Sequence, residues 1–201
     1  MSDDKWDKLR EIQIKAYQHV IHEDIQQKYV LLLATRVVEL SQDAYFLCCV
    51  NRVSSVPVLM RSALESYVDL QCVKNDEGYI QEMNQSVQCY MDKLQGGKYV
   101  KNPSVWGRFK KAGEERRYPF YSSLCRSTHG NLESLIRDHT INGSISLGYE
   151  HCSDDIRLYQ NQIVEISVSA LIAAFVFIDF KGPLLNELQR IHSEAALGKY
   201  A

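Results

Sequence analysis

The segment IVEISVSALIAAFVFIDF, residues 163–180, places 13 consecutive uncharged residues between Glu165 and Asp179. A helix that crosses a bilayer needs roughly 20. A surface helix of a globular protein keeps one polar face. The segment is too short for the first and too apolar for the second, so it predicts a helix buried in a protein core. The rest of the chain must then supply the walls around it.

Those walls read as helices almost throughout. From Trp6 to about His22, Leu9, Ile12, Ala16 and Val20 recur at three- and four-residue steps, giving one apolar face. A second long helix runs from Asp24 to about Val50 and carries YVLLLATRVVEL, apolar on nearly every side, which predicts a central position. The first two segments could also be one bent helix. In a third helix, Ser54 or Ser55 is placed to cap and Pro57 falls in the first turn, where a missing N–H costs little. NDEGY breaks it, and a fourth helix follows from Tyr79 to Leu94, stopped by Gly96-Gly97. Residues 96–119 read as a connector with a short helix around Trp106 to Lys111, and a further helix spans about Phe120 to Thr128. INGSISLGYEH suggests a loop or small hairpin. Ser153 with Asp154 and Asp155 opens the long apolar helix, Gly182-Pro183 ends it, and a last helix reaches about Ala196.

No β-α-β alternation is present, so a parallel sheet is not expected. A chain of 201 residues, 45% hydrophobic and 24% charged, has the composition of one soluble domain. The expected fold is therefore all-α: a single-domain bundle of six to seven helices over residues 1–201, with its core in 24–180 and an irregular connector. MSDDKWDKLREIQ lacks the apolar stretch of a signal peptide, which predicts a cytoplasmic protein without a membrane span. The six cysteines are then expected as free thiols; they form no C-x-x-C pair.

Four clusters carry candidate chemistry. In YSSLCRSTHGN, residues 121–131, a helix would put Ser122, Arg126 and His129 on one face. A guanidinium beside an imidazole suits phosphate chemistry. His129-Gly130 also has the form of a helix C-terminus, where His meets the negative end of the dipole and Gly takes the left-handed cap. In RSALE, Arg61 and Glu65 stand at i and i+4 on an apolar helix and can pair, as a structural bridge or as part of a site. HVIHED offers His19, His22 and Glu23 at helical spacing, without the H-E-x-x-H order of a metalloprotease and without a third distant ligand. Two solvated surface histidines account for it, and no metal is expected. Cys125 and His129, also at i and i+4, lack a third group and an oxyanion hole.

The connector is the fourth. From Lys98 to Arg117 seven Lys/Arg stand against Glu114 and Glu115, a local charge of +5 in a chain whose formal net charge is -2. Trp106, Phe109, Tyr118, Phe120 and Tyr121 interleave with these charges. Lys and Arg can hold a phosphate backbone while aromatics stack on bases. Arg108, Lys110, Lys111, Arg116, Arg117 and Trp106 are thus candidate nucleic-acid contacts. The competing reading is a solvated face whose aromatics turn inward. Gly-rich phosphate loops, a G-x-S-x-G elbow and paired metal carboxylates are absent, which argues against nucleotide-triphosphate hydrolysis and esterase chemistry.

LMRSALESYVDL, VWGRFKKAG and YSSLCRSTHGN, in that order, resemble a bacterial family of all-helical domains of unknown function. In that family an Arg-x-x-x-Glu helix precedes a Tyr-x-x-Leu-Ser-x-x-x-His segment. Arg61 and Glu65 match the first motif; Tyr121, Leu124 and His129 match the second, with Cys125 where the family has Ser. The family in turn resembles the HEPN helical bundles, many of which are metal-independent ribonucleases of toxin–antitoxin, antiphage and CRISPR systems. HEPN sites use Arg and His with four to six residues between them; Arg126 and His129 have two. The resemblance implies a site that gathers Arg61, Glu65, Tyr121 and His129, with Arg126 as the lesser partner. It implies no cofactor, RNA as a partner and a homodimer. The alternative is a non-enzymatic helical module for dimerisation or protein interaction, motivated by the surplus of apolar surface on residues 163–180.

Overall fold

Asp24 opens the bundle's longest wall. Its carboxylate accepts the backbone N–H groups of Gln26 and Gln27, at 2.7 and 3.4 Å for Oδ1, and so caps a helix that would otherwise start with unsatisfied donors. The protein is described here from a computed structural model covering residues 4–18, 24–96, 104–128, 132, 136, 139–141, 143–145 and 153–197. Among these residues eight α-helices are found: α1 (Asp4–Gln18), α2 (Ile25–Cys49), α3 (Val56–Asn75), α4 (Tyr79–Leu94), α5 (Val105–Ala112), α6 (Tyr118–Thr128), α7 (Ser153–Phe177) and α8 (Pro183–Ala196). Short 3₁₀ turns precede α3 (Val53–Ser55) and α6 (Glu115–Arg117). The only strands among the described residues are β1 (Thr140–Ile141) and β2 (Ser144–Ile145), an antiparallel pair where the sequence suggests a hairpin.

The fold is all-α, as expected, with one or two helices more than the pattern suggests. α2 and α3 pack along each other, and α7 lies against both. α8 covers α7, while α5 and α6 cover α3. α7 is the buried helix its composition demands: Ile163, Val164, Ile166, Val168, Ala170, Leu171, Ala174 and Phe175 are all in the core. Most of the apolar surface of residues 163–175 is thus buried inside the fold, while Val176 stays exposed. α3 is as central as α2, with buried positions from Met60, Ala63 and Leu64 to Leu70 and Val73 running round its circumference.

The core also extends past residues 24–180 at both ends. Leu9, Ile12 and Ala16 of α1 and Leu188, Ile191 and Ala195 of α8 are buried with the rest, and the Trp6 ring lies 5.5 Å from that of Tyr45. One local expectation differs in detail. Ser55 makes no side-chain cap; the Val56 N–H at the start of α3 donates to the Val53 carbonyl of the 3₁₀ turn, and Pro57 sits in the first turn as expected. α2 begins at its own cap, so α1 and α2 are separate helices.

The connector folds tightly. Ser104 Oγ accepts the Gly107 N–H at 3.1 Å to cap α5, and Gly113 (φ 72°) closes it in the left-handed region, where a side chain would be strained. Between these ends Phe109 is fully buried, its ring 5.4 Å from Tyr118 and 5.2 Å from Tyr121. Phe109→Ala should lower the unfolding free energy by about 3–5 kcal/mol in urea titrations, as a large side chain at the contact of α3, α5 and α6 leaves a cavity. A loss below about 1 kcal/mol would mean that α5 is not docked.

Candidate functional site

Arg61, Glu65 and Asp69 follow one another at four-residue steps and share one face of α3. Glu65 is the hub. Its Oε1 accepts Arg61 Nε at 3.1 Å and the Tyr121 hydroxyl at 2.8 Å, and Oε2 lies 3.5 Å from Arg108. Arg108 continues to Asp69, at 3.1 and 3.3 Å from its two oxygens. The Tyr79 hydroxyl donates to Asp69 Oδ1 at 2.8 Å. Burial by itself would raise the Glu65 pKa. The Tyr121 and Arg61 hydrogen bonds and the Arg108 charge outweigh burial and hold it below its ordinary 4.5. The same surroundings push the Tyr121 hydroxyl well up, burial first and the Cys125 and Glu65 contacts after it, so it stays a protonated donor.

An aromatic ladder runs along this face. Trp106 meets Tyr118 edge-on at 4.8 Å, Tyr118 stacks on Tyr121 at 5.9 Å, and the Arg61 guanidinium lies 5.9 Å over the Tyr121 ring. Trp106 remains 44% exposed and the Arg61 side chain 33% exposed. The two motifs, RSALE and YSSLC, therefore meet across the α3–α6 contact. Arg126 does not join them. It is exposed, and about 140° round α6 from Tyr121 at 100° per residue. His129 lies outside the described residues, as do His19, His22 and Glu23. Among the described residues no cluster of His, Cys, Asp or Glu could hold a metal.

The basic connector divides sharply. Arg108 is held inside on Glu65 and Asp69. Lys111 pairs with Asp76 at 3.1 Å and Glu82 at 2.6 Å and lies 4.9 Å over the Tyr79 ring. Arg117 is the most buried of the set, at 13% side-chain exposure. It grips Glu165 of α7 with two hydrogen bonds, 2.6 and 2.7 Å, and Glu114 with a third at 3.0 Å. Among the described residues of the connector Lys110, Lys111 and Arg116 are exposed, Arg116 at 80%. As candidate nucleic-acid contacts, Arg108, Lys111 and Arg117 are already engaged by carboxylates, while Lys110, Arg116 and Trp106 keep accessible surface. The large local charge misleads because charge counting does not see carboxylates contributed by distant segments.

Arg117 anchors a second polar cluster, on the other side of α3. Tyr67 donates to Glu114 at 2.8 Å and receives Gln71 Nε2 at 2.9 Å, and Arg117 lies 5.0 Å over the Tyr67 ring. Ser169 donates to Glu165 at 3.1 Å, and His192 Nε2 sits 3.3 Å from the same oxygen. Burial would raise the Glu165 pKa, but Arg117, Ser169 and His192 together bring it below 4.5. A cleft of about 490 Å³ opens beside this cluster, bordered by α3, α7, α8 and Arg116.

Residues 27–95, 69 of the 201, match the model of a family described as a family of unknown function, DUF5677. The matched part spans α2 to α4, holds Arg61, Glu65 and Asp69, and ends before Tyr121. No curated protein matches the chain, and no solved structure matches it.

Sequence reasoning missed Asp69, Glu165, His192 and Lys74. Two signals were available. Asp69 continues the four-residue spacing of Arg61 and Glu65. Glu165 is a carboxylate within an apolar helix, which must find a cation. No disulfide links the described cysteines, and burial pushes Cys48 and Cys72 each up to about 12.

Arg117→Met strands two buried carboxylates and should lower the unfolding free energy by about 3–5 kcal/mol at pH 7. Acid should narrow that gap. Glu65 and Glu165 have depressed pKa values in the fold, so their contribution is present above pH 4.5 and is lost as pH falls through the folded values. Wild-type stability should therefore fall below pH 4.5, while Arg117→Met, whose Glu165 is freed from its cation, falls less. Parallel pH profiles of the two proteins would contradict the assignment.

Proposed function

We propose that this chain is a HEPN-like nucleic-acid-processing protein, a metal-independent ribonuclease of the kind used in bacterial defence and toxin systems. The observation that carries the reading is the meeting of the two motifs. Arg61, fixed by Glu65 and laid over Tyr121, reaches the surface beside an aromatic ladder that ends in an exposed Trp106. Among the described residues its one hydrogen bond is through Nε, which leaves the terminal nitrogens for a phosphate.

On this reading Arg61 binds the scissile phosphodiester and Trp106 offers a surface on which a base stacks. His129 takes the proton from the ribose 2′-hydroxyl. The 2′ oxygen attacks phosphorus, the P–O5′ bond breaks, and the departing 5′ oxygen takes up a proton, leaving a 2′,3′-cyclic phosphate. Glu65 and Tyr121 are positioning residues. Among the described residues of the connector, the exposed Lys110 and Arg116 are the cations we assign to the RNA backbone.

One observation favours a second reading, in which the chain is a non-enzymatic module that pairs with itself. Val87, Tyr90, Met91 and Leu94 are exposed along one stripe of α4 at spacings of three and four. On this reading the stripe is the surface through which two copies pair.

Labelled single-stranded RNA incubated with purified protein in EDTA tests the first reading. Wild type should cleave it, and His129→Ala should cleave about 10²-fold more slowly or worse with its circular-dichroism melt unchanged. Cleavage at one rate by both proteins, or by neither, overturns the ribonuclease reading. For the second, light scattering on size-exclusion eluates should show a dimer that Leu94→Lys converts to monomer; a wild-type monomer at 100 µM, on the order of the concentrations at which weak dimers form, rules it out.

A further inference from the structure

The cleft between α3, α7 and α8 is separate from the site of Arg61. Tyr67, Gln71 and Lys74 line it from one face of α3, and at 100° per residue that face lies roughly opposite the one carrying Arg61, Glu65 and Asp69. Its volume, about 490 Å³, is in the range of small-molecule sites. We propose that it binds a nucleoside phosphate.

Charge is the first reason. Around the cleft stand Lys74, Arg116 and Arg117 against the carboxylates of Glu114 and Glu165. Three cations stand against two anions, which leaves one positive charge in excess among these groups. Arg117 belongs to both carboxylates, and Arg116 approaches only Glu114, at 3.8 Å. Lys74 has no ion pair among the described residues. It is half-buried at the cleft wall, and burial lowers its pKa, with Glu114 opposing that shift without touching it. A half-buried ammonium with no contacting anion is a standing cost to the fold, and a phosphate would relieve it.

The lining away from the cations is the second reason. Ile172, Ala173 and Val176 of α7 give an aliphatic strip against which a planar base can lie. Gln71 and Gln189 present carboxamides, which can pair with the donor and acceptor edge of a base. Gln71 uses Nε2 on Tyr67, which orients the group and leaves its oxygen as acceptor. A free phosphate would use the cations alone; a nucleotide uses the aliphatic strip and the carboxamides too.

Calorimetric titration of the full chain with the four ribonucleoside 5′-diphosphates and with inorganic phosphate tests this. At least one nucleotide should bind, about tenfold or more tighter than inorganic phosphate. Lys74→Gln should weaken that binding about tenfold or more, whereas Lys15→Gln, an exposed cation on α1, should leave it unchanged. The melting temperature of Lys74→Gln should equal or exceed that of wild type, which separates lost binding from lost folding. The proposal is overturned if no nucleotide binds better than phosphate, if Lys74→Gln binds as wild type does, or if Lys15→Gln weakens binding equally.

Discussion

Glu165 stands on α7 with Ile163, Val164 and Ile166 around it, and it can be charged there only because Arg117 reaches it. A carboxylate at that depth without a cation would disfavour the fold by several kcal/mol. Arg117 can reach α7 only if the chain after α5 passes across α3. That requirement shapes the connector. α5 lies along one face of α3, where Arg108 holds Glu65 and Asp69. The 3₁₀ turn at Glu115–Arg117 then crosses to the other face, where Arg117 holds Glu165 and Glu114 and Glu114 takes the Tyr67 hydroxyl. Between the two, Phe109 fills the core. The connector is thus a clasp on α3 with an ion network at each end.

The clasp explains why Arg108, Lys111 and Arg117, half of the basic connector's candidate contacts, are held by carboxylates. Its cations neutralise carboxylates that α3, α4 and α7 expose toward it. What it leaves accessible is local: Arg61 with Trp106 on one side of α3, and Arg116 with Lys74 and His192 on the other. Each side pairs cationic groups with apolar or aromatic surface, a combination suited to phosphate-bearing partners. One side is an open surface and the other a cleft, which is why we propose a polymer for the first and a small molecule for the second.

Much of the fold was legible because it rests on local rules. Helical periodicity, Pro57 in a first turn and Gly182-Pro183 at a break each act within a few residues. The burial of most of residues 163–175 follows from composition alone. The site was half legible. Arg61 and Glu65 share a helix, so their pairing can be read from spacing, and Tyr121 came with the resemblance. The partners Arg108–Asp69 and Arg117–Glu165 lie 39 and 48 residues apart in sequence. No local pattern brings such pairs together, and a helix that looks solvated by its charges, α5, is docked by them instead. His192 and Lys74 were invisible for the same reason, since a cleft exists only once α3, α7 and α8 are assembled.

Hydrogen exchange under native conditions measures the clasp most directly. Backbone amides of residues 109–112 in α5 should exchange with the same opening free energy as the buried amides of α3, since releasing the connector strands Glu65, Asp69 and Glu165 at once. Exchange of α5 by a local opening several kcal/mol below that of α3 would contradict the account, and would make the connector a decoration on the bundle rather than the element that holds α3 in it.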